Sequence, residues 1–297
     1  MPKFLLRILS ADLQTRFSLY LQLIRFDKPI GFYLLLWPTL WALAVAANGA
    51  PDGWILLVFV FGVFLMRSAG CAINDYADRN IDRHVWRTRE RPLTSGRMRA
   101  REALLVFAGL SLIAFLLVLT LNNFTVMLSV GGLILAATYP FMKRYHYLPQ
   151  VHLGAAFSWS IPMAFAAQLG SVPDEAWLMY LAALLWTVAY DTIYSMVDRD
   201  DDLKIGVKST AILFGEYDRF IIALLQGLFV LTMLLFGMAL EFSWPYFVGL
   251  AGAALLLGFE QFLIADRVPA HCLIAFLHNH WVGAAVFAGI MWHYYAL

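Results

Sequence analysis

Long apolar stretches, each of roughly 18 or more residues with almost no charge, recur along this chain between short polar segments. A bilayer core takes about 20 apolar helical residues to cross. Each stretch therefore predicts a membrane-spanning helix. Nine are placed, at 30–47, 53–73, 103–121, 124–142, 151–169, 176–196, 220–240, 244–265 and 272–294. Turn signals separate several of them: Asn48-Gly49-Ala50-Pro51-Asp52-Gly53, Asn122-Asn123 and Gly170-Ser171-Val172-Pro173. The pattern predicts an all-α polytopic membrane protein, with residues 26–297 as one transmembrane domain.

Residues 1–25 read differently. Leu5, Leu6, Leu9, Leu13, Leu21 and Leu23 alternate with Lys3, Arg7, Asp12, Arg16 and Arg25. No apolar core followed by a small-residue cleavage site is present, so the segment predicts an amphipathic helix on the membrane surface rather than a signal peptide.

Basic residues orient the spans. The connections at 48–53, 121–124, 169–175 and 240–243 contain no Lys or Arg, whereas every other connection is basic. The loop after the second span alone carries Arg79, Arg83, Arg87, Arg89, Arg91, Arg97, Arg99 and Arg101. The positive-inside rule then places the N-terminus and these loops in the cytoplasm, and an odd span count puts Leu297 outside.

Composition narrows the class. The 297 residues are 62% hydrophobic and 14% charged, with mean hydropathy +0.71, which excludes a soluble globule of this length. The net charge of +1 provides no electrostatic footprint for nucleic acid. Cys71 and Cys272 fall in or beside apolar segments and read as small buried hydrophobes.

The acidic residues carry the chemistry. Of 20 Asp and Glu, eight fall in two short segments, 74–82 and 191–202, at the cytoplasmic ends of the second and sixth spans. If helix continues there, Asp75, Asp78 and Asp82 share one face, and Asp191, Asp198 and Asp202 share another. Asp78 with Asp82, and Asp198 with Asp202, repeat an i, i+4 carboxylate pair. Like charges at that spacing repel, and a divalent cation relieves the repulsion. Magnesium takes one or two protein carboxylates together with phosphate oxygens and water, so the arrangement predicts a metal-bridged diphosphate between two helix ends. Asp200 and Asp201 read equally well as a solvated acidic loop.

Asp191 and Arg67 lie inside spans, where ionisable groups mark function by default. A mutual or backbone-satisfied ion pair is the alternative role. Lys143 and Arg144, after Tyr139-Pro140-Phe141-Met142, are placed to bind diphosphate oxygens, and the arginine-rich loop to cover the site. His278 and His280 point to different helix faces and read as packing or interfacial residues.

Asn74-Asp75-x-x-Asp78-x-x-x-Asp82 and Asp198-x-x-x-Asp202, on two helices of a nine-span chain, resemble the UbiA-type intramembrane prenyltransferase superfamily. The runs Asp27-Lys28-Pro29-Ile30-Gly31, Trp37-Pro38-Thr39-Leu40-Trp41, Tyr139 to Arg144 and Asp198 to Gly215 are similar to its bacterial branch acting on 4-hydroxybenzoate. The resemblance implies a bundle around a central cavity and a bacterial inner-membrane enzyme of ubiquinone biosynthesis. Its partners are then 4-hydroxybenzoate, polyprenyl diphosphate and membrane lipid, and its cofactor Mg2+. By position it implies Asp78, Asp82, Asp198 and Asp202 as metal ligands. It likewise implies Arg67 and Asn74 at the acceptor, and Tyr139 and Lys143 near the diphosphate. Lys28 and Arg144 are carried as further substrate-binding candidates, and Asp191 and Asp75 as catalytic ones.

The implied chemistry is ionisation of an allylic diphosphate, attack by the ring carbon ortho to the phenol, and proton uptake by Asp191 or the released diphosphate. Arg67 then holds the acceptor carboxylate. Two other readings share these motifs: a superfamily member with another acceptor, and a lipid-diphosphate binder. A divalent-cation transporter is disfavoured, since the carboxylates cluster at one membrane face. The motifs leave tail length, the number of magnesium ions and oligomeric state open.

Overall fold

The computed structural model describes residues 11–295, and these are helical with no strand among them. In chain order the helices are α1 (Ala11–Leu23), α2 (Ile30–Ala46), α3 (Gly53–Asp78), α4 (Ala100–Val118), α5 (Asn123–Thr138), α6 (Pro149–Ser158) and α7 (Ser160–Leu169). They continue with α8 (Asp174–Val197), α9 (Arg199–Ile205), α10 (Thr210–Phe214), α11 (Asp218–Ala239), α12 (Trp244–Leu263) and α13 (Pro269–Tyr295). Seven helical segments are long and apolar enough to cross a membrane. The other two expected spans correspond to α2, of 17 residues, and to the pair α6 and α7.

The turn signals act as caps. Asp52 starts α3 by accepting from the backbone N–H of Trp54 at 2.8 Å and of Ile55 at 3.0 Å. Asn122 does the same for α5, accepting from Thr125 N at 2.9 Å. Gly170 closes α7 in the left-handed region, at φ 72°, where an L side chain is disfavoured. The expected fifth span is broken at Trp159. Pro162 has no N–H to offer Ser158 four residues back, which interrupts the ladder there.

Two helix-face expectations are corrected. α3 runs on to Asp78, five residues past the expected end, and then turns, so that Asp82 opens a separate 3-10 turn, Asp82–His84. Asp75 and Asp78 share a helix; Asp82 does not. α8 likewise ends at Val197, with Asp198 at a corner (φ −105°, ψ 7°) and Asp202 in α9. Asp191, Asp198 and Asp202 therefore form no single helical stripe. The expected surface helix falls partly on residues 1–10, outside those described. Its remainder, α1, seats Leu23 against Ala72, Leu93 and Ala103, beneath the basic loop.

The core lies among α2, α8 and α11–α13. Trp41, Trp186 and Phe229 group there with ring centroids 5.4–6.3 Å apart. Their indole N–H groups are satisfied, Trp41 donating to Gly283 O at 3.0 Å and Trp186 to Asn279 Oδ1 at 2.8 Å. Glu260, wholly buried, accepts from Asn279 Nδ2 at 3.0 Å and Gln226 Nε2 at 3.2 Å, and meets His278 Nδ1 at 3.2 Å. These bonds join α11, α12 and α13 where lipid offers polar groups no partner. Gly249 and Gly289 let α12 and α13 touch backbone to backbone, since a Cβ on Gly249 would stand 2.6 Å from Gly289 Cα. In contrast, α4 and α5 turn Leu105, Leu112, Leu116, Met127 and Ile134 outward. Cys71 and Cys272 are buried and free, as packing residues would be.

Candidate active site

Two adjoining cavities meet near the C-terminal ends of α3 and α8. The smaller, ≈ 150 Å³, lies between the C-terminal ends of α3 and α8 and is lined by Asp78, Asp82, Asp198 and Asp202 together with Lys143, Arg87, Arg91 and Lys208. The larger, ≈ 390 Å³, runs deeper, past Arg67, to apolar side chains of α3, α4 and α5. Asn74, Arg87, Arg91, Tyr139, Asp191 and Tyr194 face both and form their boundary.

Three of the small chamber's carboxylates, Asp78, Asp82 and Asp198, each have a cation in place, whereas Asp191 and Asp202 have none among the described residues. Lys143 Nζ donates to Asp78 Oδ2 at 2.6 Å. Arg91 Nη1 reaches Asp82 Oδ2 at 2.7 Å and Asp75 Oδ1 at 3.2 Å. Arg87 engages both oxygens of Asp198, with Nε at 3.0 Å from Oδ1, and lies over the Tyr194 ring at 4.9 Å. Burial alone would lower the Arg87 guanidinium, but Tyr194 and the bond to Asp198 hold it above its ordinary value. Burial, and then Asp198, push the Asp202 carboxyl up to about 7. Thr88 Oγ1 fixes the loop by donating to Asp82 O at 2.9 Å.

Of the sequence-derived candidates, Asp78, Asp82, Asp198, Asp202 and Lys143 converge on the small chamber. Asn74, Tyr139 and Asp191 stand at the boundary, and Arg67, Asp75 and Lys28 line the large cavity. Arg144 lines neither: its guanidinium turns back to Ala77 O and lies over the Phe141 ring at 5.5 Å. Asp75 Oδ1 is shared by Arg91 and Arg25, the latter at 2.7 Å. Arg67 and Asp191 are not an ion pair: neither side chain makes a hydrogen bond or salt bridge among the described residues.

Arg87, Arg91, Arg25, Lys208 and Tyr194 escaped individual notice in the sequence. Arg87 and Arg91 sit in a loop of eight arginines whose charge pattern reads as orientation, with nothing local to single them out. Tyr194 carried one available signal, its position in the same segment as Asp191 and Asp198.

The residues present fit a divalent cation. Asp78 Oδ1 is buried without a partner, and five carboxylates face four cationic side chains across the small chamber. No group of three or more acidic, His or Cys side chains among the described residues makes a ready-made cage. That suits magnesium, which brings water and substrate oxygens as its remaining ligands.

A helical membrane bundle holding a carboxylate-lined chamber above an apolar cavity is the class these observations define. Residues 35–293 match the model of the UbiA prenyltransferase family, and the chain belongs to that family. It is 62% identical to a 4-hydroxybenzoate octaprenyltransferase of Ectopseudomonas mendocina (strain ymp), over 93% of each chain. Its fold is similar to the apo structure of a UbiA homolog from Aeropyrum pernix K1, with TM-score 0.77 and 29% identity over 87% of this chain and 96% of that one. It is also similar to a UbiA homolog from Archaeoglobus fulgidus bound to GPP and Mg2+, with TM-score 0.69 and 19% identity over 92% and 99%.

Proposed function

We propose that this chain transfers a polyprenyl group from polyprenyl diphosphate to the ring carbon ortho to the hydroxyl of 4-hydroxybenzoate. The products are 3-polyprenyl-4-hydroxybenzoate and diphosphate, within ubiquinone biosynthesis. The name of the Ectopseudomonas relative makes octaprenyl diphosphate the first donor to test. The observation that carries the acceptor is the pair Arg67 and Asp191, a cation and an acid with no hydrogen bond or salt bridge to protein among the described residues, in a largely apolar cavity. An aromatic acid with a para hydroxyl supplies a partner for each.

Asp78, Asp82, Asp198 and Asp202 are the residues to hold magnesium, as the Mg2+-bound Archaeoglobus homolog encourages. Bound there, magnesium would neutralise the diphosphate and improve it as a leaving group. Lys143, Arg87 and Arg91 bind the remaining diphosphate oxygens, exchanging carboxylate partners for phosphate, and Lys208, which donates to Tyr145 O, joins them. Arg67 holds the acceptor carboxylate, and Asp191, at the boundary of the two cavities, takes the proton from the phenol or ring. Asp75, tied to Arg25 and Arg91, orients Arg91 between the chambers. Apolar walls from α4 and α5, including Phe115 and Leu133, exclude water from the allylic cation and guide the tail toward lipid.

The site faces the cytoplasm of a bacterial inner membrane in this reading, with nine spans. Trp54, Trp177, Trp244 and Trp292 mark one membrane interface in this reading. All four are exposed: three sit at the starts of α3, α8 and α12, and the fourth near the end of α13. Tyr295 OH reaches Gly49 O at 3.0 Å, and Ser243 N reaches His293 Nδ1 at 3.1 Å, which bring α13's end beside the starts of α3 and α12. An aromatic belt marks the opposite interface from the arginine-rich loop.

Membranes containing the protein, supplied with 4-hydroxybenzoate, octaprenyl diphosphate and magnesium, are expected to yield 3-octaprenyl-4-hydroxybenzoate by mass spectrometry. Turnover with another aromatic acceptor and none with 4-hydroxybenzoate overturns the reading.

A further inference from the structure

Gly31 lies in the first turn of α2, and the Arg67 guanidinium of α3 occupies the space where a side chain would be. A Cβ built on Gly31 would stand 2.6 Å from Arg67 Cζ and closer still to Nε and Nη2, inside any real separation. Gly31 is not among the residues with positive φ, so its backbone suits any amino acid. Space alone demands glycine here. From the other side the Phe157 ring lies 5.9 Å from Arg67 Cζ. Nothing else anchors the guanidinium, since Arg67 has no hydrogen bond or salt bridge among the described residues.

We infer that Gly31 is a positioning residue for acceptor selection: its missing Cβ leaves the notch that aims Arg67 at the carboxylate of the aromatic acceptor. The inference rests on the acceptor reading above and adds the residue that sets its geometry. The colliding atoms are the far end of a flexible side chain and not backbone, so Gly31→Ala displaces Arg67 and leaves α2 against α3. A guanidinium moved by about an ångström loses its paired geometry with a carboxylate. The diphosphate chamber is untouched, because neither Gly31 nor Arg67 lines it.

The test compares wild type, G31A, R67A and the double variant in membranes, with 4-hydroxybenzoate and with its uncharged methyl ester as acceptors. G31A is expected to raise KM for 4-hydroxybenzoate about tenfold or more, and to change kcat/KM for the ester by less than about threefold, with donor KM within about twofold. The double variant is expected to be no worse than R67A alone, because Gly31 acts through Arg67. Equal losses for acid and ester, or additive effects in the double variant, overturn the inference. So does a G31A protein that fails to fold, since a clash relieved by the guanidinium leaves the bundle standing. Wild type inactive on 4-hydroxybenzoate overturns the acceptor reading and this inference together. Wild-type turnover with an unchanged G31A overturns the inference alone.

Discussion

Lys143 and Asp78 meet at 2.6 Å, joining the turn after α5 to the last residue of α3. The contact uses Asp78 Oδ2 and leaves Oδ1 buried and unpartnered. One carboxylate thus binds a basic side chain through one oxygen and keeps the other as a buried acceptor. That geometry suits a site where a metal ion and a diphosphate arrive together.

Asp78→Ala is expected to lower turnover by about a hundredfold or more, as a Lewis-acid contribution of several kcal/mol implies. Lys143→Ala is expected to raise donor KM roughly tenfold, the worth of one charged hydrogen bond, with acceptor KM little changed. Steady-state kinetics by product mass spectrometry separates the two. Near-normal turnover by Asp78→Ala removes the metal assignment.

Asp202 predicts a pH dependence. Its carboxyl is pushed up to about 7, first by burial and then by Asp198. Below that pH the protonated form prevails, and a metal must displace the proton. Apparent magnesium affinity should therefore rise as pH increases from about 6 to about 8, with up to one proton released per ion bound. Magnesium titrations of activity at several pH values measure this. In Asp202→Asn the slope should flatten, and an unaltered slope there assigns the proton elsewhere.

Arg91 bridges Asp75 and Asp82. Arg91→Ala strands the buried Asp82 and leaves Asp75 with Arg25 alone, at a cost of about 3–5 kcal/mol. Adding Asp75→Asn should recover part of the lost melting temperature in detergent, since it removes a buried negative charge that Arg91 also balanced. Asp75→Asn alone should raise donor KM more than it lowers kcat, because Asp75 acts through Arg91. A large kcat loss at unchanged donor KM would instead make Asp75 a group that touches the reacting atoms.

Asp218 is wholly buried and pairs with Arg199 and with Arg267, whose Nε lies 3.0 Å from Oδ1. Arg199 follows Asp198 directly, so Asp218 anchors the corner that carries the second carboxylate pair. Asp218→Ala should destabilise the fold by about 3–5 kcal/mol and weaken magnesium binding in the surviving protein. Differential scanning fluorimetry and magnesium titration report the two effects. A variant with wild-type melting and magnesium response would reduce Asp218 to a bystander.

The spans were legible because lipid imposes a single requirement, an apolar stretch long enough to cross it. Their ends were less so: α3 continues through Asn74, Asp75 and Asp78, polar residues that a hydropathy boundary excludes. Asp75 and Asp78 remain in helix because Arg25, Arg91 and Lys143 from other elements receive their carboxylates. The break at Trp159 was hidden for the converse reason, since 151–169 carries no Asp, Glu, Lys or Arg and only Pro162 hints at a lost bond. Lys143 and Arg144 looked equivalent in the chain. The 3-10 turn Tyr139–Arg144 sends one to Asp78 and the other to Ala77 O.

What the chain determined by itself was local in nature: where apolar length permits a span, which loops are basic, and which carboxylates repeat at i, i+4. These follow from solvent and spacing, and need no knowledge of neighbours. Only tertiary structure decided which arginines of the loop enter the site, that Arg67 and Asp191 stay unpaired, and that Gly31 makes room for a guanidinium. Such facts depend on distances between helices far apart in sequence. Packing alone sets those distances, and no residue's own neighbours in the chain encode them.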